Sequence, residues 1–211
     1  RLKRSPITRH IPVQVVTASE HGQTVRAMGA AGYIMKPVPR ERIVEALQQL
    51  EARFARDVRT VLVVEDDPIQ RQSLEALLGS KSVRPVSVAT ASEALEALGN
   101  STFDCMVLDL SLPDASGYEL LDQMAQDEDC AFPPVIVYTG RSLSSDEEQR
   151  LRRYSRSIII KGAKSPERLL DEVTLFLHQV EANLPEEHQR MLQKARDREA
   201  TFEGRTILIV E

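Results

Sequence analysis

Two seven-residue strings constrain this chain more than any other feature. Arg59-Thr60-Val61-Leu62-Val63-Val64-Glu65 and Arg205-Thr206-Ile207-Leu208-Ile209-Val210-Glu211 are near copies. Each is a β-branched run that ends in a carboxylate, and each follows a charged, helix-like stretch. A looser repeat pairs Pro12-Val13-Gln14-Val15-Val16-Thr17 with Pro134-Val135-Ile136-Val137-Tyr138-Thr139. Downstream of each comes an apolar run closed by lysine, Tyr33-Ile34-Met35-Lys36 and Ile158-Ile159-Ile160-Lys161. Strings that recur in the same order are the mark of a repeated structural unit. The reading is three tandem copies of one domain: its C-terminal half at 1–58, a whole copy at 59–180, and the first strand of another at 205–211. A connecting helix fills 181–204. Arg1 opens the chain without a Met, so we expect a piece of a longer protein.

The whole copy alternates short apolar runs with helix signals. Strands are expected at Val61–Val64, Val86–Ala89, Met106–Leu108, Val135–Tyr138 and Ile158–Ile160. Between them, Pro68 opens a helix that Gly79 closes. Thr90-Ala91-Ser92-Glu93 reads as a capping box for a helix that stops at Gly99, and Ser145-Asp146-Glu147-Glu148 as a second box, for a helix to about Tyr154. Gly117–Gln126 and the run from Ser165-Pro166, with Leu169, Leu170, Val173, Leu177 and Val180 on one face, complete the set. Continuous apolar strands separated by helices predict a parallel sheet covered on both sides, and right-handed crossovers make it doubly wound. Residues 11–58 read as strand, helix, strand, helix, with Ile43, Leu47, Leu50 and Phe54 on one stripe. Residues 185–203 interleave acidic and basic residues, which reads as a solvated spacer; the thin stripe of Leu184, Met191, Leu192 and Ala195 leaves a partner-binding or dimer-forming helix as the alternative.

Charge and composition exclude several function classes. A net charge of −5 and a pI near 5.5 argue against nucleic acid as a partner, because the phosphate backbone calls for concentrated basic surface. No apolar run approaches the roughly 18 residues of a membrane span. Cys105 and Cys130 form neither a disulfide framework nor a metal cluster, which fits reduced thiols and a cytoplasmic setting. With no tryptophan and 4% aromatics, the core must be built from Val, Ile, Leu and Ala.

Ligands of a doubly wound sheet bind beyond the carboxyl ends of its strands. Those ends carry Glu65-Asp66-Asp67, Asp109, Thr139 and Lys161. A single Asp after a strand is ordinarily a turn or cap residue, but acids, a hydroxyl and a lysine at four strand ends of one sheet make a pocket. With these residues in view the chain resembles the receiver domains of two-component response regulators, set in a hybrid sensor histidine kinase with tandem receivers. The resemblance rests on Val63-Val64-Glu65-Asp66-Asp67-Pro68, on Leu108-Asp109-Leu110-Ser111-Leu112-Pro113 with Gly117, and on Thr139-Gly140 and Lys161. It implies a flavodoxin-like five-stranded sheet of order 2-1-3-4-5. It also implies Mg²⁺ held by Asp66, Asp109, the Ser111 carbonyl and, through water, Glu65. Asp109 would take a phosphoryl group from the phosphohistidine of a kinase or phosphotransfer protein, with Lys161 and Thr139 holding its oxygens. Neighbouring receivers and a second copy of the chain are further expected partners.

Two positions depart from the family pattern. Lys161 is followed by Gly162 where the family has proline, kept in the first segment as Lys36-Pro37; a trans bond and a looser loop are expected. Ile158 stands where the family often has an aromatic switch residue, kept earlier as Tyr33. Phosphorylation intact with an altered output surface is the expectation, and a degenerate receiver used as a spacer or docking module is the alternative. The chain is not itself expected to be a histidine kinase: His10, His21, His178 and His188 lack an acidic neighbour suited to phosphorylation, and no glycine-rich nucleotide lid is present. Aspartate-nucleophile hydrolase chemistry needs a second acid where Ser111 stands.

Overall fold

The two faces of one strand organise the domain. In β3 (Arg59–Val64) the side chains of Val61 and Val63 enter one apolar cluster while Leu62 and Val64 enter the other, all within 1% of full burial. Such a strand requires a cover on both sides. The computed structural model describes residue 8 and residues 11–18, 32–54, 58–126, 132–162, 165–179 and 181–202. In it β3 is flanked by β4 (Val83–Val88) and β5 (Cys105–Leu108), followed by β6 (Val135–Thr139) and β7 (Ser155–Ile160). All pairs are parallel and the order is β4-β3-β5-β6-β7, the 2-1-3-4-5 arrangement.

An earlier pair, β1 (Gln14–Thr17) and β2 (Gly32–Met35), forms a separate two-stranded parallel sheet, followed by α1 (Arg40–Phe54). In the five-stranded domain, α2 (Pro68–Leu78) and α6 (Ser165–Phe176) cover the Val61/Val63 face. The opposite face carries α3 (Ala91–Asn100), α4 (Gly117–Gln126) and α5 (Ser145–Leu151). A 3₁₀ turn (Glu181–Asn183) leads to α7 (Glu186–Phe202). None of the described helices is long and apolar enough to cross a membrane.

Several boundaries move from those expected. Strand β4 begins at Val83 and ends at Val88, although Pro85 lies inside it; β4 is an edge strand, where a missing N–H leaves no partner unpaired. Strand β7 begins at Ser155, three residues earlier than its apolar run, because it too is an edge and its first residues need not be apolar. Helix α3 runs on to Asn100, past Gly99, and α5 ends at Leu151 with turns to Tyr154. The second capping box shifts by one residue: Ser144 is the N-cap and exchanges bonds with Glu147. The first box is half made, because the Thr90 hydroxyl accepts from Glu93 N while the Glu93 carboxylate accepts from Ala89 N.

The expected spacer helix does not stand free. Leu184 and Leu192 are buried against Leu170 of α6, with Met191 packed alongside. A thin apolar stripe is enough when a neighbouring helix offers a leucine to receive it. The strand expected at 205–211, Val180 and the segment between β1 and β2 lie outside the described residues.

Asp114 satisfies further donors at the α3 N-terminus from a distance. Its carboxylate accepts from Ala91 N, Ser92 N and Ser92 Oγ at 2.8–2.9 Å. The backbone N–H groups of Ser92 and Ala91 hold its pKa down at about 2, against 3.8 unperturbed. A depressed acid contributes stability above the unfolded value that is lost as pH falls through the folded one. Asp114→Ala is therefore expected to lower the urea midpoint at neutral pH, with the difference from wild type shrinking in acid. A carboxyl-detected NMR titration should place the Asp114 midpoint near 2; a midpoint near 3.8 would contradict the cap.

Candidate functional site

The carboxyl end of β3 delivers Glu65 and Asp66 in succession, and their neighbours fix the strand end. Arg71, one turn into α2, donates from Nη1 to the carbonyls of Glu65 (2.7 Å) and Asp66 (3.0 Å). Asp67 turns the other way and caps α2, accepting from Ile69 N and Gln70 N. It is thereby occupied and is no rival ligand. Asp109 follows β5, its N–H donating to the Val64 carbonyl at 2.9 Å, so the acceptor loop hangs on the central strand.

The other end of that loop is fixed by Gly117. Its N–H donates to the Leu110 carbonyl at 3.0 Å. A Cβ there would sit 2.9 Å from Leu110 Cα and 3.0 Å from the Asp109 carbonyl. Close approach of two backbones thus requires glycine eight residues after Asp109.

The structure brings Glu65, Asp66 and Asp109 together, with one carboxylate oxygen of each within 4.8 Å of the others. Glu65 is 1% exposed and Asp109 6%, while Asp66 is open to solvent. Lys161, at the end of β7, donates to Glu65 Oε2 at 2.8 Å and Asp109 Oδ2 at 2.5 Å. Ser111 N donates to Asp109 Oδ1 at 3.2 Å. Thr139 is fully buried at the end of β6, its Oγ1 accepting from Arg141 N at 3.3 Å, and its carbonyl accepts from Lys161 N at 2.7 Å. All six residues expected at the site thus lie on strand ends or the loop after β5.

Electrostatics follow from burial. Removal from water pushes the Glu65 carboxyl up; the Lys161 ammonium pulls it back, and Asp109 and Asp66 add further upward pressure. For Lys161, burial opposes the charged form, but Asp109 and Glu65 outweigh it and raise its pKa. Glu65 Oε1 is buried with no hydrogen-bond partner. An acceptor left bare in a buried acidic cluster costs energy unless a cation uses it. The donor set is all oxygen, which suits a hard divalent ion such as Mg²⁺.

Three contacts escaped the sequence reading. Arg71 grips the carbonyls of the strand end, Asp114 ties the acceptor loop to α3, and the buried Tyr138 hydroxyl meets Ser165 Oγ at 2.7 Å. None has a local signal, since each joins residues far apart or uses backbone atoms. Among the described residues Lys36–Pro37 is the one cis peptide, so Lys161–Gly162 is trans as expected.

Comparison with known proteins covers this same region. The family model for the response regulator receiver domain matches residues 61–174. The Regulator of RpoS of Escherichia coli is 29% identical over 120 residues, 57% of this chain and 35% of that protein. The polar-differentiation response regulator DivK of Brucella ovis is 25% identical over 119 residues, 56% of this chain and 96% of that one. A solved CheY-like receiver domain protein from Methanospirillum hungatei has a TM-score of 0.51 at 26% identity, covering 60% of this chain and 99% of its own. The receiver domain of a sensor histidine kinase from Pseudomonas aeruginosa, with a magnesium ion coordinated in its active-site cleft, gives 0.51 at 24%, covering 58% and 99%.

Proposed function

The chain belongs to the response regulator receiver family, and from that premise we propose that residues 59–180 are a Mg²⁺-dependent phosphoryl acceptor in a two-component phosphorelay, with Asp109 as the nucleophile. The observation that carries the reading is the Lys161 ammonium bridging Asp109 and Glu65 in a pocket of three convergent carboxylates. Asp66, Asp109 and the Ser111 carbonyl would hold the ion directly and Glu65 through water; the bare Glu65 Oε1 supports this fit. When bound, Mg²⁺ supplies positive charge against the oxygens of the transferring phosphoryl group.

The protein's own part is positioning and charge. A carboxylate oxygen of Asp109 attacks phosphorus as the P–N bond to the donor imidazole breaks, and the electron pair leaves with the imidazole. Lys161 exchanges its carboxylate partners for a phosphoryl oxygen, and the Thr139 hydroxyl, now accepting from Arg141 N, is free to donate to another. The donor is a phosphohistidine domain of a histidine kinase or phosphotransfer protein. In this reading residues 1–58 are the C-terminal half of a preceding receiver, 181–204 a connecting helix and 205–211 the first strand of another, within a cytoplasmic hybrid kinase. Neighbouring receivers or a second copy of the chain would cover the exposed Val16, Met35, Ile43 and Leu47.

Incubation with Mg²⁺ and acetyl phosphate should add one phosphoryl group by intact mass, and Asp109→Asn should abolish it. Absence of modification in wild type, with no Mg²⁺ dependence of stability, would favour the second reading, a docking module that keeps only the receiver fold. Ile158 at the aromatic switch position gives that reading its support.

A further inference from the structure

Glycine at position 162 keeps a backbone N–H that the proline at the corresponding position of the first segment lacks. Pro37 has no N–H to give; Gly162 has one and uses it, donating to Ser165 Oγ at 3.0 Å. The same Ser165 hydroxyl donates to the Gly162 carbonyl at 2.8 Å. Ser165 N also donates to that carbonyl at 3.0 Å. A serine hydroxyl has one proton and two acceptor sites. Its proton is committed to Gly162, so the Tyr138 hydroxyl, 2.7 Å away, must be the donor in their contact. The capacity of Ser165 Oγ is then filled, and both residues are buried, at 4% and 8% exposure.

Tyr138 acts at both ends. Its hydroxyl reaches Ser165, and its ring lies under the Lys161 ammonium, with Nζ 5.6 Å from the ring centre. That is within cation–π range. Tyr138 also sits one residue before Thr139 on β6, in register with Ile159 of β7. One side chain thus spans the interval between the ammonium and the backbone that carries it.

We propose that Ser165 and Tyr138 are a positioning pair that holds Lys161 on Asp109 and Glu65, with Ser165 clamping the Lys–Gly junction through an N–H that a Lys–Pro junction lacks. This rests on the phosphoryl-acceptor reading for its consequence, but the clamp itself concerns only where the ammonium sits. Neither residue is among those that the acceptor reading places on the phosphoryl group. Ser165 fixes the peptide after Lys161, and Tyr138 fixes Ser165 and the floor beneath Nζ.

The test uses the whole chain and the variants Ser165→Ala, Ser165→Thr and Tyr138→Phe. The first readout is the Lys161 ammonium resonance in ¹H–¹⁵N spectra without Mg²⁺, assigned with Lys161→Met. Held by two carboxylates, it should be visible and slow to exchange in wild type. It should vanish in Ser165→Ala, weaken in Tyr138→Phe and return in Ser165→Thr. The second readout is the acetyl phosphate reaction. Maximal rate should fall about tenfold in Ser165→Ala, since misplaced groups cost rate out of proportion to the displacement. Mg²⁺ affinity should not fall, because the carboxylates that set it are intact. A merely structural role would move stability, Mg²⁺ affinity and rate together. An unchanged ammonium signal in Ser165→Ala overturns the proposal whatever the rate does. Failure of wild type to take up phosphoryl, with the ammonium signal still dependent on Ser165, overturns the acceptor reading and leaves the clamp standing.

Discussion

Lys161→Met should slow phosphoryl transfer to Asp109 by about 100-fold or more, because it deletes the preorganised cation at the reacting oxygens. The same change should destabilise the Mg²⁺-free domain. Glu65 and Asp109 are both buried and share this one ammonium, at 2.8 and 2.5 Å. Without it their repulsion loses its one counter-charge among the contacts at the site. Burial already raises Glu65, and the loss of Lys161 removes the largest downward influence on it. An acid whose folded pKa lies above its unfolded value of 4.5 binds more protons folded than unfolded. Stability of the variant should therefore fall as pH rises through the raised folded value, and the gap to wild type should narrow as pH drops toward 4.5. Mg²⁺ should stabilise the variant more than wild type, since the ion would then replace the lost charge. Thermal midpoints measured across pH, with and without Mg²⁺, check all of this. Equal Mg²⁺ stabilisation of the two proteins would count against the charge-sharing account.

Leu62→Ala should cost about 3–4 kcal/mol of folding stability, within the range for emptying a core leucine site. Leu62 is fully buried at the middle of β3, where Val86 and Met106 lie beside it on the flanking strands. Both neighbours are held by the backbone ladder, so the cavity cannot close by strand movement. Against a total of about 5–15 kcal/mol for a domain of this size, that is a severe loss. Ile69→Ala is the control: Ile69 is 75% exposed, and its replacement should change stability by less than about 0.5 kcal/mol. Urea denaturation of both variants decides the matter. A Leu62→Ala effect below that of Ile69→Ala would mean that β3 is not the centre of the core.

The strand ends of the site are legible in the sequence because parallel strands of this kind are short apolar runs, and the first polar residue after each marks its carboxyl end. Glu65, Asp109, Thr139 and Lys161 all follow from that rule. Edges break it. At β4 the proline at position 85 conceals three strand residues, and at β7 Ser155-Arg156-Ser157 looks like a turn, since edge strands tolerate what central ones do not. Helix caps are legible only when the cap is local. Ser144 and Glu147 form a box three residues apart, misplaced by one because Ser144 and Ser145 are adjacent serines. Asp114 caps α3 from more than twenty residues away, and nothing in its neighbourhood announces it. The docking of α7 is invisible for the same reason: its stripe is too thin to read as buried until Leu170 is known to face it.

Pro85 has a consequence for the company the domain keeps. Modules joined in series meet one another at an effective concentration of about millimolar, far above that of free proteins. At such concentrations an open sheet edge is a standing invitation to pair with the edge next door. Both borders of this sheet discourage it: β4 breaks its outer row of donors at Pro85 beside the charge of Arg84, and β7 begins with Arg156 between two serines. On the tandem-receiver reading proposed above, the near copy of the 59–65 string at 205–211 gives such borders their use, because like strands are the most readily confused. The proline that obscures the strand in the sequence is thus also a gap in the row of donors that a further strand would need.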